Sequence, residues 1–172
     1  AYLSWTPASA GNRKTWTWSG WAKRGNVSTN QARLFNADID ASNRVELMLN
    51  NETNDYFRLE LLSSSSNGNF VTNQLFRDPS AWYHILVAID TTQATSTNRV
   101  KIYVNGEQVT SFSASTYPSQ NAEYAVSYTT AHSIGRSLRY ARHFDGYLAN
   151  VTFIDGTALD PTSLGEYDGT LW

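Results

Sequence analysis

The chain has 172 residues, 41% of them hydrophobic, a formal net charge of −2 and no cysteine. That length suffices for one domain with its own core, and residues 1–172 read as a single domain. The charge excludes a generally basic nucleic-acid binder, and the missing cysteines exclude a disulfide framework and a thiolate metal site. The longest wholly apolar run, residues 85–89, is far too short to span a bilayer, so no membrane insertion is expected. The first five residues lack signal-peptide character, and a leader removed from in front of them would leave export open. Richness in Ser, Thr, Asn, Tyr and Trp favours strands and polar loops over helices.

Residues 1–13 read as an irregular lead-in. Residues 14–23 form a strand with Trp16 and Trp18 on one face; Gly20 marks a bulge after which Trp21 changes sides. Residues 23–31 are loop and residues 32–37 a short strand, followed by an Asx-rich turn over 38–43. Residues 44–50 alternate, with Val45, Leu47 and Leu49 inward and Glu46, Met48 and Asn50 outward. After a turn at 51–55, residues 56–62 alternate again, with Phe57, Leu59 and Leu61 inward. A polar loop at 63–69 precedes a weaker strand at 70–76. Asn26, Asn51 and Asn150 match the N-glycosylation pattern; Asn150 falls in a strand, a poor acceptor position.

Residues 82–90 are an apolar run of strand length with apolar side chains on both faces, as in a central strand covered on both sides. The Thr/Ser/Asn-rich stretch 91–98 is an exposed loop. Val100, Ile102 and Val104 then alternate with Lys101, Tyr103 and Asn105, and Asn105-Gly106 makes a hairpin turn leading into a returning strand over 107–112. Residues 113–122 read as loop, 123–128 and 131–135 as short strands, 136–143 as a connection and 145–154 as a long last strand. Asp160 and Pro161 open a single helical turn, and Trp172 folds back on the body. No solenoid or propeller period is visible.

Trp82-x-His84-Ile85, Asp90, Ile102-Tyr103-Val104-Asn105-Gly106, Ile134-Gly135 and Phe144-Asp145-Gly146-Tyr147-Leu148 occur in that order. The pattern resembles the laminin-G-like branch of the concanavalin A-like lectin/glucanase superfamily. The resemblance implies an all-β jelly-roll sandwich of two antiparallel sheets. Residues 146–166 are similar to lectin-like domains of phage tail-fibre and other virion proteins. That implies a virion-surface or extracellular setting, with other virion proteins as partners beside a glycan. Asn105 and Asn150 stand where this family often has carboxylates. Family members often hold calcium through loop carboxylates; the candidate site here is Asp38 and Asp40 with Asn36 and Asn43, against the alternative of an Asx turn bonding its own backbone.

A glycosidase needs two carboxyl groups facing each other, about 5–10 Å apart. The superfamily's glucanases carry these as Glu-x-Asp-x-(x)-Glu on one strand, and this chain has no such run. Glu46 and Glu60 read as exposed strand residues near Arg58. There is no Gly-x-Ser-x-Gly, His-Glu-x-x-His or phosphate loop, and no enzyme is expected. His84 reads as a packed or bridging residue.

A sugar-binding surface needs aromatic platforms with planar polar side chains around them. Arg136, Arg139, Tyr140, Arg142 and His143 gather these in one connection. They are the candidate ligand residues for a uronic, sialic, sulfated or phosphorylated glycan or polysaccharide, against the alternative of a solvated loop paired with Asp145 or Glu166. Trp18, from the Trp16/Trp18/Trp21 group, is the candidate stacking platform, with Tyr103 and Tyr147 on strand faces of undetermined side. The sequence thus reads as a non-catalytic, lectin-like carbohydrate-binding module. The alternative is a structural or decoration domain of a virion that makes protein contacts without sugar, and a glycoside hydrolase is the reading the residues support least.

Overall fold

The structure, a computed structural model, describes residues 1–25, 32–49, 54–140 and 142–172. Among them lie the strands β1 (Leu3–Trp5), β2 (Thr15–Arg24), β3 (Ala32–Asp40), β4 (Asn43–Leu49), β5 (Tyr56–Leu62) and β6 (Gly68–Leu75). The chain continues through β7 (Tyr83–Asp90), β8 (Val100–Val104), β9 (Glu107–Gln108), β10 (Phe112–Thr116), β11 (Ala131–Ile134) and β12 (Gly146–Asp155). They form two antiparallel sheets, one ordered β1-β11-β3-β4-β5-β6-β10, the other β12-β2-β7-β8-β9. The all-β jelly-roll sandwich is therefore what the chain adopts. Asn26, Asn50 and Asn51 lie outside the described residues, as do most of the 23–31 loop and the 51–55 turn.

Period-two alternation builds the core. Trp16 and Trp18 on β2, Val45, Leu47 and Leu49 on β4, Phe57, Leu59 and Leu61 on β5, and Ile85, Val87 and Ile89 on β7 all point between the sheets, with no solvent exposure. Each such Leu, Ile or Phe contributes about 1.5–3 kcal/mol by leaving water. Rings bridge the layers. Trp16 stacks on Phe153 at 5.9 Å, Phe153 on Phe35 at 5.8 Å, and Phe35 meets His132 at 6.1 Å.

Several elements differ from the sequence reading. The bulge beside Gly20 belongs to the partner strand. β12 gains one residue between Ala149 and Thr152, where Asn150 adopts φ 49°, while β2 pairs with β7 unbroken from Thr15 to Ala22. Trp21 therefore keeps its alternation and lies opposite Trp16 and Trp18, against His84 at 5.1 Å. Asn tolerates positive φ better than a carboxylate-bearing Glu, which gives a backbone reason for Asn150. The returning strand after Gly106 ends at Gln108, and the chain crosses to pair β10 with β6 in the other sheet. Residues 1–13 supply an edge strand that pairs with β11. Residues 123–130 are turns, not strand; Tyr124, Ala125 and Val126 nonetheless fill the core, and Ser127 sits at φ 52°.

The five-stranded sheet is covered on its second face, as the two-sided β7 required. The cover is the C-terminal segment: Leu164 packs on Leu86, Ala88 and Tyr103, and Thr17 Oγ1 donates to Thr157 O at 2.7 Å. A one-turn helix, Pro161–Ser163, follows Asp160 as anticipated. Trp172 closes the segment. Its indole Nε1–H donates to His84 Nδ1 at 2.8 Å, which leaves His84 Nε2–H to donate to Ser19 Oγ at 2.8 Å. His132 is equally committed: Nε2 accepts from Ser127 N–H at 3.1 Å, and Nδ1–H donates to Thr130 O at 2.8 Å.

Both rings are neutral in these arrangements, and burial pushes both pKa values below the ordinary 6.5, partly offset at His132 by the Thr130 carbonyl. On unfolding they protonate near pH 6.5, so their contribution to stability is complete above about pH 6.5. It is lost as pH falls from there to the folded-state values. Urea unfolding should show lower stability at about pH 5.5 than at about pH 7.5, with a smaller difference in His132→Gln. Ring-proton titrations of His84 and His132 above 6.5 would contradict this assignment.

Candidate functional site

Residues 135–140 and 142–144 fold back against one another at one end of the seven-stranded sheet. Phe144 N–H donates to Gly135 O at 2.9 Å, Ser137 N–H to Arg142 O at 2.8 Å, and Arg136 faces His143 in an isolated antiparallel bridge. Ser137 is buried, and its Oγ accepts from the backbone N–H of Arg139 and Tyr140 at 3.3 and 3.2 Å. The tip is pinned to β3. Leu138 N–H donates to Asn36 Oδ1 at 3.0 Å, and Arg139 Nη2 donates to Asp38 Oδ1 at 2.7 Å. That bond raises the Arg139 pKa further. Its partner is Asp38, not the Asp145 or Glu166 considered from sequence.

The pinned tip presents two aromatic rings. Tyr140 is 43% exposed, with the Arg142 guanidinium 5.1 Å from its centroid. Tyr2 is 48% exposed, with Arg136 4.0 Å from its centroid and the His143 ring at 6.2 Å. A cleft of about 290 Å³ opens beside Tyr2, floored by Leu3, Ile134, Phe144 and Leu148. Such a surface offers ring faces to the C–H side of a sugar and guanidinium groups to a carboxylate or sulfate. Arg136, Arg139, Tyr140, Arg142 and His143 are thus brought together. Tyr2 was missed because the three-residue β1 is too short to show alternation. Trp18 does not belong: it is fully buried between the sheets, so neither face of its indole reaches a ligand. Tyr103 is likewise buried, whereas Tyr147 is exposed beside Trp82.

The candidate calcium loop does not converge. Asp40 accepts from Ser42 N–H at 2.8 Å and from the Asn43 amide at 2.9 and 3.0 Å, bonds that lower its pKa, the Asn43 side chain most. Asp38 binds Arg139, and the Asn36 amide donates to Val45 O at 3.3 Å. Among the described residues no three His, Asp or Glu side chains gather as metal ligands. The loop is an Asx turn bonding its own backbone.

Glu46 and Glu60 are not the exposed strand residues that alternation predicts. They face each other directly across β4 and β5, and both are buried. Their spacing alone would suit a glycosidase pair, since opposed Cβ atoms lie about 5 Å apart. Their oxygens are committed otherwise. Glu46 Oε1 lies 3.1 Å from Arg33 Nε, and Oε2 lies 3.1 Å from Arg33 Nη2 and 3.6 Å from Arg44 Nε. Glu60 takes Arg44 Nη2 and Arg58 Nη2, each at 2.8 Å. Every carboxylate oxygen thus has a guanidinium partner, and Glu46 is sealed from solvent.

A laminin G family model, described as concanavalin A-like lectin/glucanases superfamily, matches residues 1–164. The chain belongs to this superfamily. No curated protein matches the sequence. Among solved structures, domain 4 of AbnA, a GH43 extracellular arabinanase from Geobacillus stearothermophilus in complex with arabinotriose, is 16% identical with a TM-score of 0.61. That match covers 87% of this chain and 65% of that one. The Ruminococcus gnavus IT-sialidase CBM40 bound to α2,3-sialyllactose is 14% identical with a TM-score of 0.60, over 94% of this chain and 96% of that one. Domains LG4-5 of the mouse laminin α1 chain are 12% identical with a TM-score of 0.64, over 93% of this chain and 42% of theirs. At such identities the likeness is one of fold. Carbohydrate-binding modules are thus among the fold neighbours of this superfamily member. Among the described residues no helix is long and apolar enough to cross a membrane.

The charge row makes a direct prediction. Glu46→Ala strands the buried Arg33 and should lower unfolding free energy by about 3–5 kcal/mol, with a smaller loss for the less buried Glu60→Ala. Equilibrium urea denaturation measures both, and a Glu46→Ala loss under about 1 kcal/mol would refute the buried pairing.

Proposed function

We propose that the chain is a single non-catalytic module that binds acidic glycans through the 135–144 tip and Tyr2. The observation that carries this is the pair of half-exposed tyrosines, each backed by an arginine, on a loop fixed to the sheet by Asn36 and Asp38. A rigid loop spares a ligand the entropy of ordering it. Guanidinium groups at the rim select for carboxylate, sulfate or phosphate. The commitment of Glu46 and Glu60 to arginines argues for retention rather than cleavage of the sugar. The neighbours co-crystallised with arabinotriose and sialyllactose support a glycan as the class of ligand.

A shallow site of this kind binds in the millimolar to micromolar range, about −4 to −8 kcal/mol, and gains useful adhesion from several copies on one particle. A secreted or surface setting fits that use. The narrower placement on a phage or other virion surface rests on the sequence similarity of residues 146–166. A second reading, a decoration domain held to neighbouring virion proteins, is favoured by Tyr147, 65% exposed, and Trp82, 40% exposed, whose rings meet at 6.5 Å on the other sheet. A stable oligomer in light scattering, broken by Tyr147→Ser, would favour that reading.

Binding of the intact chain to immobilised neutral and acidic oligosaccharides tests the main proposal. Acidic sugars should be retained, and Arg139→Ala with Tyr140→Ala should weaken retention about tenfold or more, at a stability cost from the lost Arg139–Asp38 bond. Silence across acidic glycans, or retention untouched by the double substitution, would contradict it.

A further inference from the structure

A cleft lies away from the arginine-rich tip, where the β8–β9 hairpin, the crossover to β10 and residues 167–172 meet. It encloses about 440 Å³, within the range of small-ligand sites. We infer that it is a second binding site, for a neutral saccharide. The inference extends the glycan-binding reading but rests on different residues.

Two rings form one wall, and their polar ends are fixed. Trp172 donates its indole N–H to His84 and stacks on that ring at 5.7 Å. It lies directly on bare backbone: a Cβ at Gly106 or Gly165 would stand 2.3 or 2.7 Å from indole atoms. Gly106 also turns the hairpin at φ 80°. Tyr167 meets Trp172 edge-on at 5.0 Å, and its hydroxyl donates to Asn105 O at 3.0 Å. That bond anchors the ring while leaving Tyr167 48% exposed. Both rings are thus held before any ligand arrives.

The rest of the lining mixes polar and aliphatic side chains and is nearly uncharged. Gln74, Gln108 and Thr110 belong to it and are exposed, and the side-chain amides of the two glutamines make no hydrogen bond among the described residues. Each amide offers one acceptor and two donors, a match for adjacent sugar hydroxyls. Among the described residues Glu107 is the one charged side chain in the lining, and no Lys, Arg or His is present there. A carboxylated or sulfated sugar would meet a carboxylate without a compensating cation. An uncharged sugar meets rings, amides and hydroxyls in the same lining. This charge contrast with the Arg136–Arg139–Arg142 tip separates the two sites by ligand class.

The test is NMR titration of the ¹⁵N-labelled chain with arabinotriose, cellotriose, maltotriose and mannotriose, following the Trp172 indole N–H, which Trp172→Phe identifies. At least one should shift that signal and the amides of residues 105–111 saturably. Gln108→Ala and Tyr167→Ala should each weaken binding about tenfold. Arg139→Ala with Tyr140→Ala should leave it within about twofold, so failure of the acidic site and of this one are separable. Gln108 is exposed, so its substitution tests the site even where Tyr167→Ala loosens Trp172. No shift with any of the four sugars, shifts confined elsewhere, or undiminished binding by Gln108→Ala would overturn the inference.

Discussion

Rings stacked across the interlayer gap hold the two sheets in register. From Trp16 through Phe153 and Phe35 to His132, each contact joins residues from different strands, and Trp5 extends the series at 5.2 Å from His132. Their fixed positions set which residues of β2, β3, β11 and β12 face outward. Phe35 inward places Asn36 and, two residues on, Asp38 outward on β3. These are the two side chains that pin the 135–144 tip. Trp18 inward places Ser19 and Trp21 outward on β2, where His84 and then Trp172 stack. Both candidate surfaces are thus consequences of the same alternation.

The outward faces differ in how they are satisfied. The five-stranded sheet is covered by the chain's own C-terminal segment, which closes its apolar patch and shapes the cleft below Gly106. The seven-stranded sheet carries a row of arginines and glutamates in which every carboxylate oxygen is paired with a guanidinium. A buried charge row of this kind is costly to desolvate and stable only when complete. Its completion consumes the only two glutamates that stand opposite each other on adjoining strands of the described residues. What remains exposed at the rim includes rings, guanidinium groups and amides.

Much of the fold was legible in the sequence because alternation is a local signal. β4, β5, β7 and β8 follow from it directly, and the apolar second face of β7 foretold a cover there. β1 and β10 were not legible, since neither carries enough alternation to distinguish strand from loop and both depend on pairing with distant partners. Glu46 and Glu60 were misread for a related reason. An outward polar residue on a strand is usually solvated; here it is buried by the arginines of neighbouring strands, which sequence spacing does not place. The arginine-rich connection was legible as composition. Its platform was not, because Trp18 is spent in the core and the ring that replaces it, Tyr2, arrives from the other end of the chain.

Mapping backbone amide shifts of the folded chain on titration with 3′-sialyllactose tests acidic-glycan binding at the tip most directly. Saturable shifts concentrated at Tyr2 and residues 135–144, with Trp18 unmoved, are the predicted result. Shifts absent from that tip, or centred on the Glu46–Glu60 row with release of cleaved sugar, would contradict it.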